Sequence, residues 1–199
     1  MKNRTRTLVA VGGAVAALGI ATVAYSASIS DPFGRTTVRS GIPRNASTFH
    51  LASAALAGGT FPAADWWNSF GCTGGNQAPD LEWSGAPAGT KSYAITMFDK
   101  DASSGSGFWH MVDWDIPAGT TSFNGTLPAG AVEGINDDGD SGYMGPCPPV
   151  GDIPHHYQIR VLALDTPSLG LPPVPPALAN YLISGHIIGV AELRATAQR

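Results

Sequence analysis

Four side chains in this sequence are placed to do chemistry together: Asp99, His110, His155 and Tyr157. Each sits at the end of a run whose alternate residues are apolar. Asp99 ends the row Tyr93, Ile95 and Met97. His110 begins the row Val112, Trp114 and Ile116, and His155 and Tyr157 begin Ile159 and Val161. A carboxylate or an imidazole in an apolar wall is costly unless it finds partners. Gathering the four around one small pocket is one solution. Imidazoles and a phenol can donate hydrogen bonds to an anion, and a carboxylate can orient an imidazole and raise its basicity. Such a pocket suits a phosphate, a sulfate or a carboxylate. The competing reading leaves each residue as an isolated, satisfied structural group.

Other chemistries fit less well. Two histidines and an aspartate can hold a metal, but no H-x-x-x-H or similar local spacing occurs, and no metal site or cofactor is expected. A serine hydrolase wants its nucleophile on a G-x-S-x-G turn. "SSGSGF" (103–108) has Ser104 and Phe108 where glycines are needed. Cys147 with His155 is a conceivable nucleophile pair, yet Cys147 lies between prolines with no helix start to activate it. "NDDGD" (136–140) departs from a calcium loop, with Ser141 at the glycine position and Cys147 at the closing glutamate. The expectation is a protein without catalytic residues.

The elements that must position these residues are short strands. "SYAITMFD" (92–99), "FWHMVDWDIP" (108–117) and "HHYQIRVLALD" (155–165) alternate with period two. In the last run the alternation puts His155 and Tyr157 on one face and His156 on the other. The prolines of "GPCPPVGDIP" (145–154) then read as a stiff rim ahead of a strand. Gly and Pro are abundant, 25 and 16 residues, and mark many turns. Helix is expected only at "PPALANYLISG" (175–185) and as a short turn within "ALAGGTFPAADW" (55–66). The predicted fold is mainly β: sandwich-like antiparallel sheets with a short helix in the C-terminal region.

Composition narrows the function classes. Hydrophobic residues make up 43 % and charged residues 13 % of the 199 residues, enough for a sizeable core. The net charge of −4 lacks the basic footprint of a nucleic-acid binder. Residues 1–27 read as a signal peptide: Lys2, Arg4 and Arg6, an uncharged stretch 8–25, then small residues near Ser26 and Ala27. An uncleaved membrane anchor is the alternative. Either way the expected location is outside the cytoplasm, secreted or periplasmic. Residues 28–47 read as a linker, and 48–199 as one domain. Export exposes Cys72 and Cys147 to an oxidising compartment; they form one disulfide or remain two thiols, and spacing does not decide.

Several ordered motifs resemble one family. "GNQAPDLEWSGAPAGTKSYAITMFDKDA" (75–102), "GFWHMVDWDIP" (107–117), "GINDDGDSGYMGPCPPVGDIPHHY" (134–157) and "SGHIIGVAEL" (184–193) are similar to the phosphatidylethanolamine-binding proteins, above all their bacterial Raf-kinase-inhibitor-like branch. The resemblance implies a β-sandwich-like fold with a small anion cavity at one end. It also implies a ligand-binding set of Asp99, His110, Gly145, Pro146, His155 and Tyr157. The implied activity is non-enzymatic binding of a small anion or a phospholipid headgroup. The alternative is inhibition or modulation of another protein, such as a protease. A homodimer is left open. The family's D-P-D-A-P run reads Asp99-Lys100-Asp101-Ala102-Ser103 here, so both prolines are missing and a looser rim is expected.

Overall fold

The computed structural model describes residues 40–199. The expected signal peptide, 1–27, and the first part of the expected linker lie outside the described residues. The described end of that linker is docked rather than free: Ile42 and Ala46 pack on the core.

The three alternating runs form the strands at the centre of the molecule. With β1 (Ser47–Thr48), β2 (His50–Ala52) and β3 (Leu81–Ser84) preceding them, they are β4 (Ser92–Asp99), β5 (Phe108–Pro117) and, after β6 (Ser122–Phe123), β7 (His155–Leu164). Helix α1 (Pro176–Ser184) and β8 (Ile187–Ala197) follow. One sheet has the order β1-β8-β7-β4-β5 and a smaller one β2-β3-β6. All pairings are antiparallel except β1 with β8, which is parallel.

Two cores flank the large sheet. Leu51, Leu81, Trp83 and Phe123 of the small sheet meet Tyr93, Ile95, Met97 and Ile159 on one face. Ala179 and Ile183 of α1 close the other, over Ala94, Val112, Trp114 and Leu162. The predicted sandwich is therefore present, with the helix forming a third layer. A second predicted helical turn, in 55–66, is a set of irregular turns instead. Gly58 and Gly59 weaken a helix there, and Pro62 removes a backbone donor.

Strict alternation fails in β5. Met97 pairs with Met111, but Phe98 pairs with Trp109, so His110 is the extra residue of a bulge. A second irregularity lies between the pairs Ile95–Asp113 and Tyr93–Ile116, where Asp115 has φ of 56°. Asp115 is held there by Ser168 Oγ and the Leu169 N–H, which donate to its carboxylate at 2.6 and 2.8 Å. Met111 and Ile116 consequently face one core, and Val112 and Trp114 the other.

Asp113 is buried between these bulges, with one oxygen accepting from the Gly134 N–H at 3.0 Å. Burial, helped by the charge of Glu133, pushes its carboxyl up to about 7. The folded state thus holds a proton that the unfolded chain releases near pH 4, and folding loses stability as pH rises from about 4 through 7. Asp113→Asn should remove that loss. The introduced amide must itself be buried, which offsets part of the gain, so about 1 kcal/mol of added stability is expected at pH 8 and none at pH 5. Denaturant titrations of both proteins at the two pH values test this; a gain that is independent of pH would refute it.

Candidate functional site

Sheet topology brings the four predicted residues to one place. β4 lies between β7 and β5 and runs antiparallel to both, so its last residue meets their first ones. Asp99 pairs across the ladders with Tyr157 on one side and Phe108 on the other. His155 lies two residues before Tyr157, on the same face. The neighbouring strand offers Ala195 and Ala197 opposite Tyr157 and His155, which leaves room beside them. The β5 bulge supplies His110. Its ring lies 5.2 Å from that of Tyr157 and 5.0 Å from that of Phe108, centroid to centroid. Sequence alternation placed His110 with Val112 and Trp114; the bulge moves it to the site's side.

Asp99, His110, His155 and Tyr157 all line one cavity of about 540 Å³. Asp99 is the anchor. Its Oδ2 meets His155 Nδ1 at 2.6 Å, and its Oδ1 accepts from the Asp101 N–H at 2.9 Å. Both partners of the imidazole–carboxylate pair are 3 % exposed. Burial works against a charge on His155. The hydrogen bond and charge of Asp99 outweigh it, with Asp152 adding to them, and hold the imidazole above its ordinary range. Asp152 Oδ2 lies 3.4 Å from Nε2.

His110 is the opposite case. Its Nδ1 is 2.9 Å from the Met144 carbonyl oxygen, which can only accept, so Nδ1 carries the proton. Burial pushes this imidazole down to about 4, against the smaller pull of the Met144 carbonyl and Asp99. The neutral ring therefore presents Nε2 as an acceptor, rather than the donor expected from its residue type. For Tyr157, burial first and the Asp99 charge second push the phenol far above its usual range, so it remains an O–H donor.

Gly145 and Pro146 do not line the cavity; they build its wall. The Gly145 N–H donates to Asn76 Oδ1 at 2.8 Å, and the Pro146 carbonyl accepts from the Trp67 N–H at 3.2 Å. A Cβ at Gly145 would lie 2.3 Å from the Asp65 carbonyl oxygen, so only glycine allows this approach. His156 points outward as expected, with its Nδ1 2.7 Å from Asp101 Oδ2. Lys100 also pairs with Asp101, at 2.9 Å, and stays out of the cavity.

Cys72 and Cys147 form a disulfide. That removes the thiol a Cys147 nucleophile needs. The bridge ties the loop carrying Trp67 and Phe70 to the 145–150 rim. Those two rings stack at 4.6 Å and, with Phe108, Met144, Pro148 and Pro149, give the cavity apolar walls. Pro148 and Pro149 belong to the rim read from the sequence; Trp67, Phe70, Phe108 and Met144 were not read as site residues, because a loop carries no periodicity and Phe108 and Met144 stand at the edges of the runs. "WWNSF" (66–70) is the signal that was available. Arg199, at the far end of the chain, also lines the cavity. Among the described residues no cluster of three or more His, Cys, Asp or Glu is arranged to hold a metal ion.

Comparison with known proteins agrees with this architecture. The UPF0098 protein YbcL of Escherichia coli is 47 % identical over 139 residues, covering 64 % of this chain and 74 % of that protein. The crystal structure of E. coli YbcL, titled a new member of the mammalian PEBP family, superposes with a TM-score of 0.73 at 40 % identity. It covers 76 % of this chain and 98 % of that one. LppC of Mycobacterium tuberculosis, named a lipoprotein, is 39 % identical over 104 residues, 52 % of this chain and 51 % of LppC. Residues 52–198 match the family described as phosphatidylethanolamine-binding protein. The chain belongs to the phosphatidylethanolamine-binding protein family.

Proposed function

We propose that this chain is a non-enzymatic binding protein whose cavity takes a small phosphate-type oxyanion, free or as a headgroup. The observation that carries the reading is the opposed pair of histidines in one cavity. His155 is held in its charged form by Asp99. His110 is kept neutral with its acceptor nitrogen available. A hydrogen phosphate fits both. Its unprotonated oxygens accept from the Tyr157 O–H and face the charge on His155, while its own O–H donates to His110. Cys147 is not available as a nucleophile, since it is in a disulfide. The disulfide also favours an oxidising, extracytoplasmic location. The basic-then-apolar leader supports the same location.

Isothermal titration with inorganic phosphate at pH 6.5 tests the site. His110→Ala and Tyr157→Phe should each weaken binding about tenfold, the worth of one good hydrogen bond to a charged ligand, with the far-UV spectrum unchanged. Wild-type affinity in both variants would end this reading.

A further inference from the structure

The charges around the cavity do not by themselves attract an anion. Asp99 and Asp138 both line it, and Asp152 approaches His155 from the rim. His110 is neutral, and the charge on His155 lies 2.6 Å from the Asp99 carboxylate, which largely cancels it. One other cation lines the cavity among the described residues, and it is Arg199.

The Arg199 side chain is fixed in place. Its Nε–H donates to the Pro148 carbonyl at 2.7 Å, and Nη1 donates to the Gly71 carbonyl at 2.9 Å. The acceptors are the chain neighbours of Cys147 and Cys72, so the disulfide holds both carbonyls at a set separation. The Arg199 main-chain oxygen in turn accepts from the Gly151 N–H at 2.9 Å. A guanidinium has five N–H donors in a planar fork, and two are used here. The remaining three make no protein hydrogen bond among the described residues, and Arg199 lines both this cavity and a smaller pocket beside Trp66 and Gly74; a guanidinium already held by carbonyls loses little entropy on binding.

We infer that Arg199 is a ligand-binding residue of the cavity, the lining cation with no carboxylate partner among the described residues, gripping the unprotonated oxygens of a phosphate-type group with its free N–H donors. The inference rests on the proposed anion-binding reading and adds a fifth side chain, from outside every motif that first defined the site. It makes Arg199 a second cation on the ligand beside His155, the one not already paired with a carboxylate, with Asp99, His110 and Tyr157 setting orientation and protonation.

The test is titration of the full chain with inorganic phosphate at pH 6.5, in low and high salt, for wild type, Arg199→Gln, Arg199→Lys and His110→Ala. Arg199→Gln should bind about tenfold more weakly and lose most of the salt dependence, as removal of one charge-assisted contact requires. Arg199→Lys keeps the charge but not the planar fork, so it should bind more weakly than wild type, more tightly than Arg199→Gln, and keep the salt dependence. It separates charge from bracing. Equal weakness of the Lys and Gln variants would mean that Arg199 only ties the two loops together, and the inference would fall. Wild-type affinity in Arg199→Gln with weakened His110→Ala would overturn the Arg199 assignment alone. Absence of phosphate binding in the wild type would overturn it together with the anion-binding reading. If Arg199→Gln fails to fold, the Lys variant decides by its own affinity and salt dependence.

Discussion

Replacing Cys72 and Cys147 together by serine is expected to lower the stability of the folded chain by about 4 kcal/mol, a fall of roughly 10 °C in midpoint. The estimate follows from the length of chain the bridge closes. The two cysteines are 75 residues apart, so the reduced, unfolded chain regains a large loop-closure entropy. The native state should survive the change. The Trp67 N–H still donates to Pro146, Asn76 still receives the Gly145 N–H, and Arg199 still spans Gly71 and Pro148. Guanidinium titrations of the oxidised wild type, the reduced wild type and the double serine variant measure the effect. Reduced wild type and variant should agree. A loss below about 1 kcal/mol in both would show that the unfolded chain is already compact around these loops, and that the bridge fixes the cavity wall without stabilising the fold.

The parts of this molecule that were legible in sequence are those where a local pattern and the final environment agree. β4 and β5 span the runs read from sequence and β7 ends one residue short of its run, because their side chains fill the two cores on either face of the sheet. α1 was legible from Pro175 and Pro176 at one end and Gly185 at the other, with Ala179 and Ile183 at helical spacing between them. His155 and Tyr157 followed from β7 alone. His110 is more instructive. It lines the cavity, but not for the reason the sequence offered, since alternation put it beside Val112 and Trp114. A bulge adds one residue to a strand and leaves no composition signal, so every face assignment beyond it is inverted. Gly145 and Pro146 were implied by family resemblance as cavity residues. They instead hold the wall, because a loop's role depends on what packs against it. The aromatic wall at Trp67 and Phe70, and Arg199 at the other end of the chain, are assembled by a disulfide and by carbonyl contacts across 128 residues between Gly71 and Arg199. No local window contains that information.

Asp99→Asn is the substitution on which the site's electrostatics turn. The amide has nearly the same shape as the carboxylate, and its oxygen can still accept from the Asp101 N–H. Its NH₂ group, however, faces His155 Nδ1, where the carboxylate now accepts a proton at 2.6 Å. Two donors cannot share that contact. His155 must move its proton to Nε2 and become neutral, or the pair must separate. In the wild type the folded pKa of His155 is raised, so its contribution to stability is fully present below the unfolded value of about 6.5 and is lost as pH rises through the folded value. The variant reverses that sign: its neutral His155 resists protonation that the unfolded chain accepts. The gap between the two proteins should therefore widen as pH falls from 8 to 6. It should reach about 3 kcal/mol near pH 6, the low end for a broken buried pair because this one borders a cavity. Phosphate affinity should move with it. Wild-type binding weakens as pH rises through the raised His155 value, and the variant binds weakly throughout the range, about tenfold below wild type at pH 6.5. The His155 ring resonances followed by NMR against pH report the cause directly. If His155 titrates at the same pH in wild type and Asp99→Asn, the charge on that imidazole is not set by Asp99, and the division of labour between His155 and His110 does not hold.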